Sequence, residues 1–423
     1  MSRAEIADPE ALAQERIQRI NDTQALIETD RVPFIYTTRF WAAKLAGVTF
    51  EQQMYDLELA ARITEQALDL LQPDGFNPSS MQTWGQTLEA LDFRPMKWPG
   101  HGCDPDVSFQ YLDKEYMSAK EYDEFLDDPT RFNLTKYLPR IAGAFEGIEH
   151  MPDFASASEF RFLGAMRGFA NPEFRKSMQA LMEAGEKAEA AVKRTGQFMT
   201  HMRAKGMPAI AGGFCKSPFD HIADFLRGSK GAMLDMFRNR DKLLESVDKA
   251  QGLLMRGVVA EAKNSAERTG NPVANVFIPL HWGLDGFMSP DQFKTFYWPG
   301  LRKTLIELIE AGVTPTVLWE GNCTSRLELI GDIPKGKAVY WFEQTDLARA
   351  KDVLGDVVCL RGNVPASLLV TAGAAEVEEY CKNLIQTVGK GGGFILDGSA
   401  SIPDESPVEN VVAMVESVRR YGN

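Results

Sequence analysis

From Pro208 onward, short apolar runs alternate with amphipathic stretches of helical length, and no other feature restricts the fold so strongly. The runs are PAIAGG (208–213), VANVFIPL (273–280), PTVLWE (315–320), AVYWFE (338–343), VVCLRGN (357–363) and GGFILDG (392–398). Helical segments separate most of them, including 291–311 and 374–388. Strands this apolar belong to a parallel sheet covered on both faces. Such a sheet closes into a barrel or stays open and doubly wound. No Gly-x-Gly-x-x-Gly turn follows the first strand, which weakens the dinucleotide-binding open sheet. The alternation therefore predicts a (β/α) barrel.

The upstream region fits the same plan. Residues 1–30 read as an N-terminal helical extension, and VPFIYTT (32–38) as a buried strand. An amphipathic stretch over 49–71 leads to the turn Gln-Pro-Asp-Gly at 72–75. Residues 95–160 are rich in Pro, Asp and aromatic side chains with weak periodicity, and read as an elaborated insertion near the barrel mouth. Residues 172–206 form one or two long helices. With no repeat, low-complexity tract or Gly/Ser linker, residues 1–423 read as a single domain, a length that barrels often reach.

Five cysteines, an odd and scattered set, do not form a disulfide framework and suit a reducing cytoplasm. A net charge of −13 disfavours nucleic acid and anionic membrane as partners. No apolar stretch is long enough to span a membrane, and the charged N-terminus lacks a signal core. The oligomeric state is open, a homo-oligomer included.

Barrel enzymes carry catalysis at the C-terminal ends of their strands. His281, Trp282 and Asp285 follow the 273–280 run; Glu320, Asn322 and Cys323 end or follow the 315–320 run; Glu343 and Asp346 end or follow the 338–343 run. Cys359, Arg361 and Asn363 lie in or after the next strand, and Asp397 and Ser399 close the series. Imidazole, carboxylate and thiol at one mouth are the ligand types of catalytic zinc, which keeps an open position. Each residue also has a structural alternative. His281 could be a hydrogen-bonded core histidine, Glu320 a partner of Arg326 or Arg361, and Cys359 a small hydrophobe. The glycines of Gly212-Gly213-Phe214 permit close approach to a ligand, or form a plain strand-to-helix turn capped by Ser217 or Asp220. Phe293, Phe296, Tyr297 and Trp298 have helical spacing and read as core or subunit interface.

The segments HWGLDGFMSPDQFKTFYWPGL, WEGNCTSRLELIGDIPKGK, TDLARAKDVLGDVVCLRGNVPASLL and GGGFILDGSASIPDESPVENVVAMVESVRRYG resemble the uroporphyrinogen decarboxylase superfamily, with GGFCKSPFDHIADFLRG a weaker match upstream. The resemblance implies a (β/α)8 TIM barrel with its site at the C-terminal mouth. One branch decarboxylates acidic porphyrinogens held by N-terminal arginines; here Thr37-Thr38-Arg39-Phe40 follows the first strand and does not look like that motif. The other branch is the corrinoid-dependent methyltransferases, and the chain looks closer to those of O-demethylase-type systems. Their thiol-activating members carry His-x-Cys and a late cysteine. Trp319-Glu320-Gly321-Asn322-Cys323 and Asp397-Gly398-Ser399-Ala400 depart from both patterns.

The resulting expectation is a zinc-dependent methyltransferase. His281, Glu320 and Cys359, with Cys323 in reserve, would hold the metal. Asp285, Glu343 or Asp346 would protonate the leaving group, while Trp282, Asn322, Asn363, Arg361 and Phe214 would line the substrate site. A small methylated donor, such as an aryl methyl ether, would pass its methyl group to a corrinoid on a partner protein, with 95–125 as docking rim. The first rival is a metal-free decarboxylase or lyase of a polycarboxylate, using Arg39, Lys216, Arg326 and Arg361. The second is a non-catalytic binding barrel, which would be a costly use of so many polar strand ends.

Overall fold

The computed structural model describes residues 8–152, 154 and 158–422; the expected extension at 1–7 and residues 153 and 155–157 of the insertion lie outside them. Eight strands are arranged around one core: β1 (Ile35–Tyr36), β2 (Gly75–Phe76), β3 (Gly213–Phe214), β4 (Ala274–Leu280), β5 (Val313–Trp319), β6 (Val339–Phe342), β7 (Cys359–Val364) and β8 (Phe394–Gly398). Strands β3 to β8 form a continuous six-stranded parallel sheet in sequence order. β1 and β2 form a separate parallel pair. Single parallel bridges, Phe34 to Leu396 and Phe76 to Ala209, tie that pair to the two edges of the sheet. The result is a distorted barrel in which the regular eightfold ladder expected from the resemblance is continuous over six strands.

The irregularity has a local cause. The 208–213 run is shared between two neighbours: the Phe76 amide donates to the Pro208 carbonyl and Ile210 to Phe76, whereas Cys215 donates to Phe277. Pro208 contributes no donor, and Gly212 passes so close to β4 that a Cβ there would lie 2.4 Å from the Asn275 carbonyl oxygen. Only Gly213 of this run, with Phe214 after it, joins the sheet as β3.

Strands β6, β7 and β8 are buried along their whole length, as a doubly covered parallel sheet requires. The helix at Ala374–Val388 matches its expected limits, and Pro172–Arg203 is one uninterrupted helix capped by Asn171. The 49–71 stretch splits at Asp56, whose carboxylate accepts the amides of Glu58 and Leu59 and starts the second helix. Helix Pro9–Gln24 closes the bottom, where Ile20 packs with Ile35, Val339, Cys359 and Ile395. Phe293, Phe296, Tyr297 and Trp298 are buried core, as their spacing predicts.

The insertion contains short helices and a three-stranded patch formed by Met96–Pro99, Gly102–Cys103 and Gln110–Tyr111. It is fastened to the segment after β3: the amides of Tyr116 and Met117 both donate to the Leu226 carbonyl, at 2.8 and 2.6 Å. Among the described residues no helix is long and apolar enough to cross a membrane.

Candidate functional site

The polar centre of the mouth is assembled from the ends of β3, β4 and β5. After β3 the chain makes a short helix, Pro218–Asp220, capped by Ser217, and then a π-helical turn, His221–Arg227. That wide turn carries Asp224 to face His281 at the end of β4. His281 Nδ1 lies 2.7 Å from Asp224 Oδ2, and Trp282 Nε1 donates to Asp224 Oδ1 at 2.7 Å. Lys216 Nζ stands 3.2 Å from Asp224 Oδ2 and within 3.4 Å of both imidazole nitrogens. Glu320, just past β5, places Oε1 3.7 Å from His281 Nε2.

Below this group, Asp220 is fully buried and fixes the β4 turn. It accepts the His281 amide at 3.1 Å, the Trp282 amide at 3.3 Å and the Tyr297 hydroxyl at 2.7 Å. Tyr297 ends a second π-helical turn, Phe293–Tyr297. Two locally widened helices therefore converge on one strand end.

The electrostatics follow from burial and these contacts. Burial opposes charge on Asp224, but the His281 hydrogen bond and the His281 and Lys216 charges outweigh it and hold its pKa below the usual value. Burial disfavours the imidazolium of His281, and the Asp224 hydrogen bond and charge overcome it, raising the pKa. Burial pushes the Asp220 carboxyl upward, with Asp224 adding to the effect. Glu320 is likewise raised by burial, against the pull of His281 and Lys216. The mouth thus holds a low carboxylate, a raised imidazole and a raised carboxyl, an arrangement suited to moving protons beside an anionic group.

Arg39 and Tyr111 stand at the rim of this centre. Arg39 is exposed and its charge acts on both Tyr111 and Glu320. Tyr111, from the insertion, is 71% exposed, yet its surroundings desolvate the phenol and raise its pKa. Phe214 is 54% exposed and stacks at a tilt on Phe277, giving an accessible apolar wall.

The remaining expected site residues are placed otherwise. Cys359 opens β7 and pairs with Val339, whereas the mouth level is marked by Trp319, Phe342 and Gly362. Three residues of strand, roughly 10 Å, separate the two levels. Cys359 is part of the apolar plug at the bottom, with its pKa pushed up to about 12 by burial. Cys323 is buried in the main core and is also raised to about 12. The zinc set proposed from sequence therefore does not assemble: His281 and Glu320 meet, but neither thiol joins them. Among the described residues no three His, Cys, Asp or Glu side chains are grouped to hold a metal ion. The ammonium of Lys216 stands beside both His281 and Asp224.

Asp285 anchors the loop after β5, accepting the Ser325 hydroxyl at 2.7 Å and lying 3.2 Å from Arg326 Nε. The Asn322 carbonyl accepts the Asp285 amide, and its side chain accepts the Thr324 amide. Asp346 caps helix Leu347–Leu354. Glu343 accepts the Gly321 amide at 2.5 Å, which holds it beside Glu320. Arg361 is committed to Asp397, at 2.6 and 2.9 Å, and lies over the Trp341 ring. Asn363 donates to the Thr345 carbonyl. Of the four cations named for the decarboxylase alternative, Arg39 and Lys216 reach the mouth while Arg326 and Arg361 are buried in ion pairs.

Asp220, Asp224 and Tyr297 were not singled out as site residues. A signal existed for the carboxylates: Pro-Phe-Asp-His-Ile-Ala-Asp-Phe-Leu sets two of them four residues apart in an apolar segment, and buried carboxylates require partners.

Residues 169–421 match the family model described as uroporphyrinogen decarboxylase. The chain is 24% identical over 308 residues to a uroporphyrinogen decarboxylase of Legionella pneumophila, covering 72% of this chain and 85% of the relative. It is also 24% identical over 252 residues to that of Coxiella burnetii, covering 58% and 66%. Among solved structures, a methyltransferase from Methanosarcina mazei superposes with a TM-score of 0.59 at 14% identity, covering 96% of this chain and 98% of the other, a likeness of fold. With more than half its length inside the family model and the strand-end cluster where such barrels keep their chemistry, the chain belongs to the uroporphyrinogen decarboxylase family.

Proposed function

We propose that this protein is a decarboxylase or lyase acting on a carboxylate-bearing substrate. The observation that carries this reading is the Lys216 ammonium, 3.2 Å from Asp224 and flanking His281, at the mouth of the barrel. Lys216 and Arg39 would bind the substrate anion, and Phe214 would support its carbon skeleton. In decarboxylation the bond to the carboxylate carbon breaks, carbon dioxide leaves, and the electron pair stays on the substrate carbon. That carbon then takes a proton. Glu320, whose carboxyl is raised by burial, or protonated His281 would supply it from 3.7 Å apart, and Asp224 would hold the imidazole oriented. Family membership supports the same reading.

The testing experiment is an anaerobic incubation with uroporphyrinogen and simpler aryl and pyrrole carboxylates, followed by mass spectrometry and carbon dioxide release. Carboxylate loss that disappears in Lys216→Met supports the proposal; turnover unaffected by that change overturns it.

A second reading, methyl transfer from a small methylated donor to a corrinoid on a partner protein, is supported by the fold shared with a methyltransferase. It would draw on the same mouth, with Tyr111 and the insertion as docking rim. Formation of methylcobalamin from cob(I)alamin and an aryl methyl ether would favour it.

A further inference from the structure

A cavity of about 620 Å³ opens at the rim where β6, β7 and β8 end, and neither Lys216 nor His281 lines it. One wall is formed by Glu343, Asp346, Asn363 and Ser399, the other by Tyr380 and Leu384 of helix Ala374–Val388. Its size is that of a small-molecule site.

Two polar side chains in its lining are more than nine-tenths buried and incompletely partnered. Ser399 is 7% exposed and lines the cavity, and its backbone amide is bound to the Val364 carbonyl while its hydroxyl stays free for the cavity. Asn363 is 8% exposed; its amide nitrogen donates to the Thr345 carbonyl, which leaves Oδ1 without a protein donor. Neither atom belongs to the sealed interior groups that lack partners, so what each can still reach is the cavity. Both groups keep hydrogen-bonding capacity that protein does not use and that a molecule in the cavity can take up.

The charge of the lining restricts what that ligand is. Among the described residues no Lys, Arg or His lines the cavity, whereas Glu343 and Asp346 do. An anion would meet two carboxylates and no counter-charge. Glu343 and Asp346 already accept the amides of Gly321 and Arg349, so their role here is exclusion. Tyr380 and Leu384 supply an apolar face opposite the hydrogen-bonding one.

We propose that this rim cavity is a binding site for a non-anionic, hydroxyl-bearing organic molecule. Its hydroxyl groups donate to Asn363 Oδ1 and exchange hydrogen bonds with Ser399 Oγ, while its carbon skeleton rests on Tyr380 and Leu384.

The test is saturation-transfer NMR on the full chain with glucose, myo-inositol and resorcinol as neutral probes and citrate as the anionic one. At least one neutral probe should bind, and Ser399→Leu, which fills the cavity, should weaken it at least about tenfold. Lys216→Met should leave that binding unchanged, which separates this site from the chemistry proposed above. Thr387→Trp, at the exposed edge of the cavity, provides a second block that does not disturb the interior. Absence of binding by all three neutral probes, binding that survives both blocking variants, or citrate binding that the same variants abolish would overturn the proposal.

Discussion

His281 Nδ1 lies 2.7 Å from Asp224 Oδ2, a residue 57 positions earlier in the chain, and this contact shifts the protonation of both partners. The imidazole is also flanked by the Lys216 ammonium, so two opposed charges act on one ring.

Opposite shifts should therefore follow from removing either neighbour. Burial and Lys216 lower the His281 pKa, but the Asp224 hydrogen bond and charge, with Asp220 adding, outweigh them and raise it above its ordinary value of 6.5. Asp224→Asn should lower the His281 pKa, and Lys216→Met should raise it. NMR titration of the imidazole measures both. A raised histidine binds its proton more tightly in the folded state, so its stabilising effect is complete below 6.5 and fades as pH rises through the raised value. Asp224→Asn should flatten that part of the stability–pH curve.

If Lys216 receives the substrate carboxylate, Lys216→Met should reduce kcat/KM by about 100-fold or more at unchanged fold. Arg39→Gln, at the exposed rim, should act mainly through KM. Steady-state kinetics on the turned-over carboxylate, with circular dichroism as the fold control, distinguishes these effects.

Tyr297→Phe removes the hydroxyl that Asp220 accepts at 2.7 Å in a fully buried setting. A loss of about 1–3 kcal/mol should appear in urea denaturation. Because the same carboxylate holds the His281 and Trp282 amides, kcat should fall further than the stability loss alone explains.

Cys359 plugs the bottom of the barrel and should be dispensable for chemistry. Cys359→Ser places a hydroxyl among Ile20, Ile35, Val339 and Ile395 and should cost about 1–3 kcal/mol of stability. Activity per folded molecule, read at a temperature well below the transition, should match that of the native chain.

Gly212→Ala would set a methyl group 2.4 Å from the Asn275 carbonyl oxygen and 2.9 Å from its carbon, where backbone cannot easily give way. A destabilisation of about 1–3 kcal/mol is expected from the overpacking. It should be visible as a lower denaturation midpoint at constant slope.

The amino-acid sequence alone determined where the C-terminal strands and their helices run, because period and apolar content are local properties of the chain. It also placed His281 and Glu320 at strand ends, since each directly follows an apolar run. The level of Cys359 was not legible in the same way: it lies inside the run read over 357–363, and only its pairing with Val339 shows that the thiol sits at the entry of β7, below the mouth. Only the tertiary structure decided which polar groups meet. Asp224 and Tyr297 reach the centre through π-helical turns that shift side-chain direction without altering composition, and Asp285, Asp346 and Arg361 are drawn into caps and ion pairs. Partnership between distant charges depends on burial and distance in the folded chain, and neither is a property of residue order.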